Sequence, residues 1–303
     1  MIPVHIPVMP DEVMEYLVPS RPDALIIDGT LGEGGHSLRF LETYPDCRVV
    51  GIDADAVMGK RAGIRLFEWQ ERFELKTGWT DEVLDNWNGI SPDLILMDLG
   101  ISTYHYDGSG RGFSFKSDEP LDMRLDGDSN SDKDAAYLVN TLREEDLADL
   151  IFTFGEERFS RRIARRIVAE RKNAPINNAS ILAGIVAGAV PPQARHGRIH
   201  AATRTFQALR IAVNGELDRL SRLLAIAPDL LAPGGRLGII SFHSLEDRIV
   251  KRAFRALDIR FGGTFNVLTR KPLVPSETEC RLNSPSRSAK FRVIKKPAEG
   301  YVK

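Results

Sequence analysis

Three short apolar runs, each closing on an aspartate, constrain this chain more than any other feature. They are Ala24–Asp28 (ALIID), Arg48–Asp53 (RVVGID) and Asp93–Asp98 (DLILMD). Aliphatic runs this short, without polar alternation, suit strands covered on both faces. Helical patterns at 36–43 and near 55–70 separate them, and a weaker strand signal lies at 73–77. Strands alternating with helices in this way predict an α/β fold, a parallel sheet wound on both faces. Ligands of such sheets bind beyond the carboxyl ends of the strands, where strand order reverses. Asp28, Asp53 and Asp98 are therefore expected along one edge of one crevice. A lone aspartate after a strand is more often a helix cap or turn residue. Three in register favour a site.

The first run leads into a glycine-rich turn with glycines at 29, 32, 34 and 35, before a helix expected from His36. Glycines let the backbone approach a ligand and present N–H groups near a helix start. Their spacing is GxxGxGG, not the GxGxxG of dinucleotide sites. Asp28, just before the first glycine, would repel a pyrophosphate and attract an ammonium. That favours the methionine part of S-adenosylmethionine over a nicotinamide dinucleotide. Asp53 is placed to accept hydrogen bonds from both hydroxyls of a ribose, which either cofactor carries. Asp98 is placed for the adenine edge or the reaction centre.

The alternation then breaks. Residues 105–134 are rich in Gly, Ser and Asp and read as loop, and 135–190 read as helices punctuated by Asn and Pro. This is too long for a crossover. It predicts an inserted helical domain at 105–205, with the sheet domain formed by 1–104 and 206–303. Helical periodicity at 205–230, a Pro233-Gly-Gly turn, a strand at 236–241 and a helix near 245–257 resume the α/β rhythm, with late strand signals at 264–269 and 289–295.

No uninterrupted apolar stretch reaches the length of a membrane span, and the first residues lack the basic and apolar regions of a secretory signal. Cys47 and Cys280 suit a reducing cytoplasm and form no CxxC metal site. The histidines show no metal spacing; His196 and His200 lack partner cysteines, so no metal is expected. A net charge of −1 argues against a protein that is basic overall. The charges are unevenly placed, however. Residues 118–157 are acid-rich, including Asp122, Asp126, Asp128, Asp132, Asp134 and Glu144, while 158–172 and 281–296 are basic. A basic face is compatible with that balance.

Segments running almost end to end resemble one family. They include HIPVMPDEV (5–13), DGTLGEGGHS (28–37), DLGIS (98–102), RGFSF (111–115), PLDMR (120–124), ATRTFQALRI (202–211), SFHSLEDRIVK (241–251) and SPSRSAKFRV (284–293). They are similar to the MraW family, the cytosine-N4 methyltransferases of 16S ribosomal RNA (ribosomal RNA small subunit methyltransferase H). The resemblance implies a class I, Rossmann-like S-adenosylmethionine methyltransferase fold with an inserted substrate-recognition domain. It also implies a cytoplasmic enzyme acting on 16S rRNA within the small ribosomal subunit, with S-adenosyl-L-methionine as cofactor. Oligomeric state is left open, a dimer included. Cofactor contacts implied by the family fall on Gly34, Gly35, His36, Asp53, Trp79, Asp98 and His105. Trp79 stands where the family commonly has Phe. ISTYHYD (101–107) replaces the usual VSSPQLD, so His105 stands for a Gln, and Ala201 replaces a common Pro.

The exocyclic amine of cytosine is a weak nucleophile because its lone pair is delocalised into the ring. Catalysis there needs positioning and aimed hydrogen-bond acceptors more than a strong base. Amine-directed DNA methyltransferases carry a (D/N/S)PPY segment after the fourth strand; here that place holds Asp98-Leu-Gly-Ile-Ser102. The candidate acceptor is Asp98, a nearby carbonyl, or both, with His243, Asn214 and Asp247 as further candidates. Phe113, Phe115, Tyr104 and Tyr106 are candidates for stacking an extruded base, or simply for packing. Arg158, Arg161, Arg162, Arg165 and Arg166, and at the C-terminus Arg281, Arg287, Lys290 and Arg292, are candidates for phosphate contact or for ordinary solvated faces. A methyltransferase with another acceptor, and a ribosome-assembly factor that binds rRNA without turnover, are the alternatives. The first predicts no response to rRNA, and the second predicts binding without methyl incorporation.

Overall fold

The computed structural model describes residues 6–116, 118–127, 133–195 and 200–298. In chain order its elements are α1 (Pro10–Tyr16), β1 (Leu25–Asp28), α2 (Gly35–Thr43), β2 (Arg48–Asp53), α3 (Ala56–Arg65), β3 (Phe73–Thr77), α4 (Thr80–Asp85) and β4 (Leu94–Asp98). There follow α5 (Thr103–Asp107), α6 (Ala135–Thr141), α7 (Glu144–Gly155), α8 (Ser160–Glu170), α9 (Ala179–Ala189), α10 (Pro192–Arg195), α11 (Thr203–Asn214) and α12 (Glu216–Leu230). The chain ends with β5 (Arg236–Ser241), α13 (Ser244–Leu257), β6 (Asn266–Val267), α14 (Glu277–Leu282) and β7 (Lys290–Lys295).

The chain divides into a sheet unit, 1–101 with 217–303, and a helical unit, 102–216. In the sheet unit seven strands run in the order β3-β2-β1-β4-β5-β7-β6. β1 to β5 are mutually parallel, and β7 is antiparallel to both of its neighbours. Alternate side chains leave opposite faces of a strand. Ile26, Leu94, Leu96, Ile240, Phe291 and Val293 accordingly share one core with Leu17 and Phe40. Ile27, Ile95, Met97, Leu237, Ile239 and Ile294 share the other with Leu220, Leu223, Val250 and Phe254. Both faces are covered, which is why the strands read as continuous apolar runs. Each fully buried aliphatic side chain contributes about 1.5–3 kcal/mol.

Strand order reverses between β1 and β4, since β2 and β3 lie to one side and β5 to the other. Asp28, Asp53 and Asp98 are each the last residue of their strands. Asp93 is not part of its strand. It is a buried clamp at the opposite end, taking the Arg21 guanidinium at 3.0 Å and the Leu25 N–H at 2.9 Å.

In the helical unit α7 packs on α8 and α11, and α8 on α9. Leu147 and Ile151, Ile163 and Ile167, Leu182 and Val186, and Phe206 and Leu209 are buried. The partition corrects the expected boundary of 105–205. α11 belongs with the helical unit because its partner is α7, and a helical periodicity does not announce which surface will cover it. The periodic stretch 205–230 is also two helices: Gly215, at φ 59°, ends α11 in the left-handed region that favours glycine. The stretch read as loop from 105 begins within the short helix α5. No described helix is long and apolar enough to cross a membrane.

Candidate active site

The turn from β1 to α2 lies across the carboxyl edge of the sheet. The Gly29 N–H donates to the Leu96 carbonyl and the Leu31 N–H to that of Ile52, each at 2.9 Å. Gly34, at φ 76°, precedes α2, whose first turn has no side-chain cap. A β-carbon at Gly34 would also meet Leu66 at 3.1 Å and Ala62 at 3.3 Å. Glycine is required there by conformation and by space. An uncapped helix start is a ready set of N–H donors.

Asp53 is held by the backbone on both oxygens: Oδ2 accepts from the Gly32 N–H at 2.7 Å and Oδ1 from the Asp55 N–H at 2.8 Å. A carboxylate has about four acceptor positions. Two backbone donors therefore orient Asp53.

Asp28 is 1% exposed. Its Oδ2 accepts from the Ser37 hydroxyl at 2.7 Å, while the buried Oδ1 has no partner among the described residues. Burial pushes this carboxyl above the usual carboxylate range; His36 and the Ser37 hydrogen bond oppose the shift and Asp98 adds to it. His36 is buried in the first turn of α2, and its Nε2 also lacks a hydrogen-bond partner. It stands 3.6 Å from Asp98 Oδ2, too far for a hydrogen bond. Asp98 is fixed through its own N–H, which donates to Thr30 Oγ1 at 2.6 Å, and through Oδ1, which accepts from the Gly100 N–H at 3.0 Å.

Trp79 follows β3 on the same sheet edge, and the Arg219 guanidinium lies 4.0 Å over its ring. Arg219 is itself tied to Asp81 at 2.9 Å and to Glu82 at 2.8 Å. Thr30, Ser37 and Arg219 escaped the sequence reading. The first two lie inside the glycine-rich motif, where hydroxyls beside Asp28 were a usable signal. Arg219 is remote in sequence and had none.

His243 is the cap of α13. Its Nδ1 accepts from the Glu246 N–H at 3.3 Å, and Glu246 Oε2 accepts from the Phe242 and His243 N–H groups at 2.7 and 3.2 Å. The ring is thus a structural cap on one nitrogen. Asp247 is claimed by Arg292 at 2.7 Å and Lys290 at 3.1 Å. Burial alone would raise its pKa, but these two cations hold it below the usual range. The expected C-terminal basic group is therefore split, since Lys290 and Arg292 bind a carboxylate within the fold.

Asn214 is the remaining catalytic candidate from the sequence. It is buried in the helical unit, where its amide donates at 2.8 Å to the carbonyls of Met123 and Arg210 and its oxygen accepts from the Leu125 N–H at 2.8 Å. That pins a bend in which Met123 adopts φ 64°. His105, in the same unit, is 5% exposed with its ring edge-on to Tyr104 and Phe113. Phe115 stacks on His200 at 4.4 Å and packs edge-on against Phe206, so it and the buried Phe113 serve the unit's own packing, while Tyr106 is exposed. The ring of His200 is thereby engaged, and its Nδ1 accepts from the Ala202 N–H at 3.2 Å. His196, Asp128 and Asp132 lie outside the described residues.

The sheet edge thus offers a glycine-lined N–H cradle, a backbone-oriented carboxylate at Asp53, and buried polar atoms on Asp28 and His36 that have no partner among the described residues. This donor and acceptor set fits a ligand bearing an ammonium, a carboxylate and a ribose diol. With the sheet order β3-β2-β1-β4-β5-β7-β6 and an antiparallel β7, it defines a class I S-adenosylmethionine-dependent methyltransferase fold. The chain belongs to the MraW methylase family, whose family model matches residues 3–297. Among curated relatives named ribosomal RNA small subunit methyltransferase H, it is 53% identical to that of Treponema denticola, with 98% of each chain covered. It is 48% identical to that of Synechococcus sp. strain WH7803, covering 97% of this chain and 95% of the relative. To that of Synechococcus elongatus it is 47% identical, covering 96% and 94%.

Proposed function

We propose that this chain methylates the exocyclic N4 amine of a cytosine in 16S ribosomal RNA within the small ribosomal subunit, using S-adenosylmethionine. The observation that carries the reading is Asp98, held by Thr30 and Gly100 at the end of β4, at the point where strand order reverses. Family membership and near full-length relatives supply the RNA acceptor.

When bound, the cofactor supplies an electrophilic methyl group. In this reading the N–H groups at Gly35 and His36 receive its carboxylate, Gly34 shapes the turn with its own N–H on the Leu31 carbonyl, and Asp28 faces its ammonium. Asp53 accepts from both ribose hydroxyls, and Trp79, backed by Arg219, walls the adenine. Asp98 accepts a hydrogen bond from the amine N–H of cytosine, orienting the nitrogen lone pair and stabilising positive charge as it grows. His36 Nε2 is the neighbouring group able to take up the released proton, whereas His243, whose Nδ1 accepts from the Glu246 N–H, acts as a helix cap. The role of His105 rests on the family resemblance. Asn214 holds 123–125 in place through its amide.

The test is tritiated methyl transfer from S-adenosylmethionine to unmodified 30S subunits and, separately, to naked 16S rRNA, followed by nucleoside analysis. N4-methylated cytidine is expected. No incorporation into either, with cofactor binding intact, would overturn the reading in favour of another acceptor or a non-catalytic assembly role.

A further inference from the structure

Two cation-rich helices carry their charge differently. On α8 the exposed arginines are largely answered by carboxylates: Arg161 by Asp149 at 3.8 Å, Arg165 by Glu144 at 3.4 Å and Arg166 by Glu170 at 2.6 Å. On α13 the central pair, Lys251 and Arg252, has no such partner among the described residues. That helix buries Glu246, Val250 and Phe254, with Ile249, Ala253 and Leu257 packed beside them. Its opposite face presents Arg248, Lys251, Arg252 and Arg255, all exposed. The spacing i, i+3, i+4, i+7 puts them in one stripe about 10 Å long. The two acids of α13 are engaged elsewhere, Glu246 in the helix cap and Asp247 with Lys290 and Arg292. Lys251 and Arg252 have no ion pair among the described residues.

The stripe ends beside an aromatic group. Phe261 is 59% exposed, and the Arg255 guanidinium lies 4.7 Å over its ring. Arg260 lies 5.9 Å from the same ring and is anchored by Asp258. An exposed ring flanked by cations, next to a row of exposed cations in which Lys251 and Arg252 have no ion pair among the described residues, matches what single-stranded nucleic acid requires: phosphate contacts and a stacking platform. α13 also starts directly after β5, whose Ile240 pairs with Asp98. The stripe therefore runs out from the edge that carries the candidate acceptor.

We propose that the exposed face of α13 binds the phosphate backbone of the ribosomal RNA substrate, with Phe261 stacking on an unpaired base. This rests on the rRNA reading above. The test compares Lys251→Gln/Arg252→Gln with Lys60→Gln/Lys172→Gln, which removes the same charge elsewhere. Binding of 16S rRNA and methyl transfer to it are measured over a range of salt, with cofactor affinity and Tm as checks on folding. The α13 pair is expected to raise KM for RNA about tenfold and to lower the salt slope of RNA affinity by about 1.5. Cofactor affinity should stay unchanged. Phe261→Ala is expected to weaken RNA binding about tenfold with little change in that slope. Wild-type KM and slope in the α13 pair, or equal effects in the control pair, would overturn the surface while leaving the acceptor reading intact. RNA binding that depends on α13 without any methyl transfer would support the surface and overturn the acceptor reading.

Discussion

Asp28 in the sheet unit and Asn214 in the helical unit are both buried polar side chains, and the protein treats them in opposite ways. Asn214 has its amide and its oxygen bound to backbone groups of its own unit. Among the described residues Asp28 keeps one oxygen without a partner, and His36 beside it keeps one nitrogen. A buried polar group that is satisfied stabilises a fold, whereas one left open costs free energy until something binds it. The same contrast runs along a single strand. Asp93, before β4, is closed by Arg21 and Leu25, while Asp98, at its other end, is oriented by two contacts and left beside a histidine. Asn214 is spent on the shape of its own unit, whereas Asp28 and His36 at the sheet edge each hold an atom open among the described residues.

Asp98→Ala is the severest test of that contrast. It should lower methyl transfer by about 10²–10³-fold, as loss of an aimed transition-state partner does, with Tm little changed. Normal methylation by this variant would remove Asp98 from the reaction centre. Asp53→Ala should weaken S-adenosylmethionine binding by about 10–100-fold, in the range of hydrogen bonds to a charged group; calorimetric titration measures this directly.

Asn214→Ala should cost about 2–3 kcal/mol of stability, because it strands the Met123 carbonyl and the Leu125 N–H. Hydrogen exchange should localise the loosening to 123–125, with cofactor affinity unaltered; a selective loss of cofactor would break the comparison.

Asp28→Asn should act in the other direction. The folded-state pKa of Asp28 is raised by burial, so its ionised form is destabilising above that pKa. The amide should therefore raise Tm at pH 7.5 by a small amount. The gain should fade as pH falls through the raised pKa and vanish below about 4, where the carboxyl is protonated in both states. Cofactor affinity should fall in the same variant, so a stabilised protein with wild-type affinity would show that the open oxygen has no ligand to receive.

Much of the fold was legible because strand signals are local. The runs ending at Asp28, Asp53 and Asp98 became β1, β2 and β4, and the strands at 73–77 and 236–241 appear where periodicity and turn residues put them. The cradle was legible for the same reason, since Gly32, Gly34 and Asp28 act within a few residues of one another. The clamp of Asn214 joins residues about ninety positions apart, and the Arg219 lid on Trp79 spans still more. No window of sequence contains either.

By itself, then, the sequence determined the order of strands and helices, the strand-end aspartates and the glycine turn, since backbone sterics and apolar periodicity act over short stretches of chain. The tertiary structure decided which charges and polar atoms are spent. Among the described residues it paired three arginines of α8 with acids while leaving Lys251 and Arg252 on α13 without an ion pair, it turned Asn214 into a clamp, and it left Asp28 Oδ1 open. The reason is physical: hydrogen bonds and ion pairs form only between groups within a few ångströms, and chain folding alone sets which distant residues come that close.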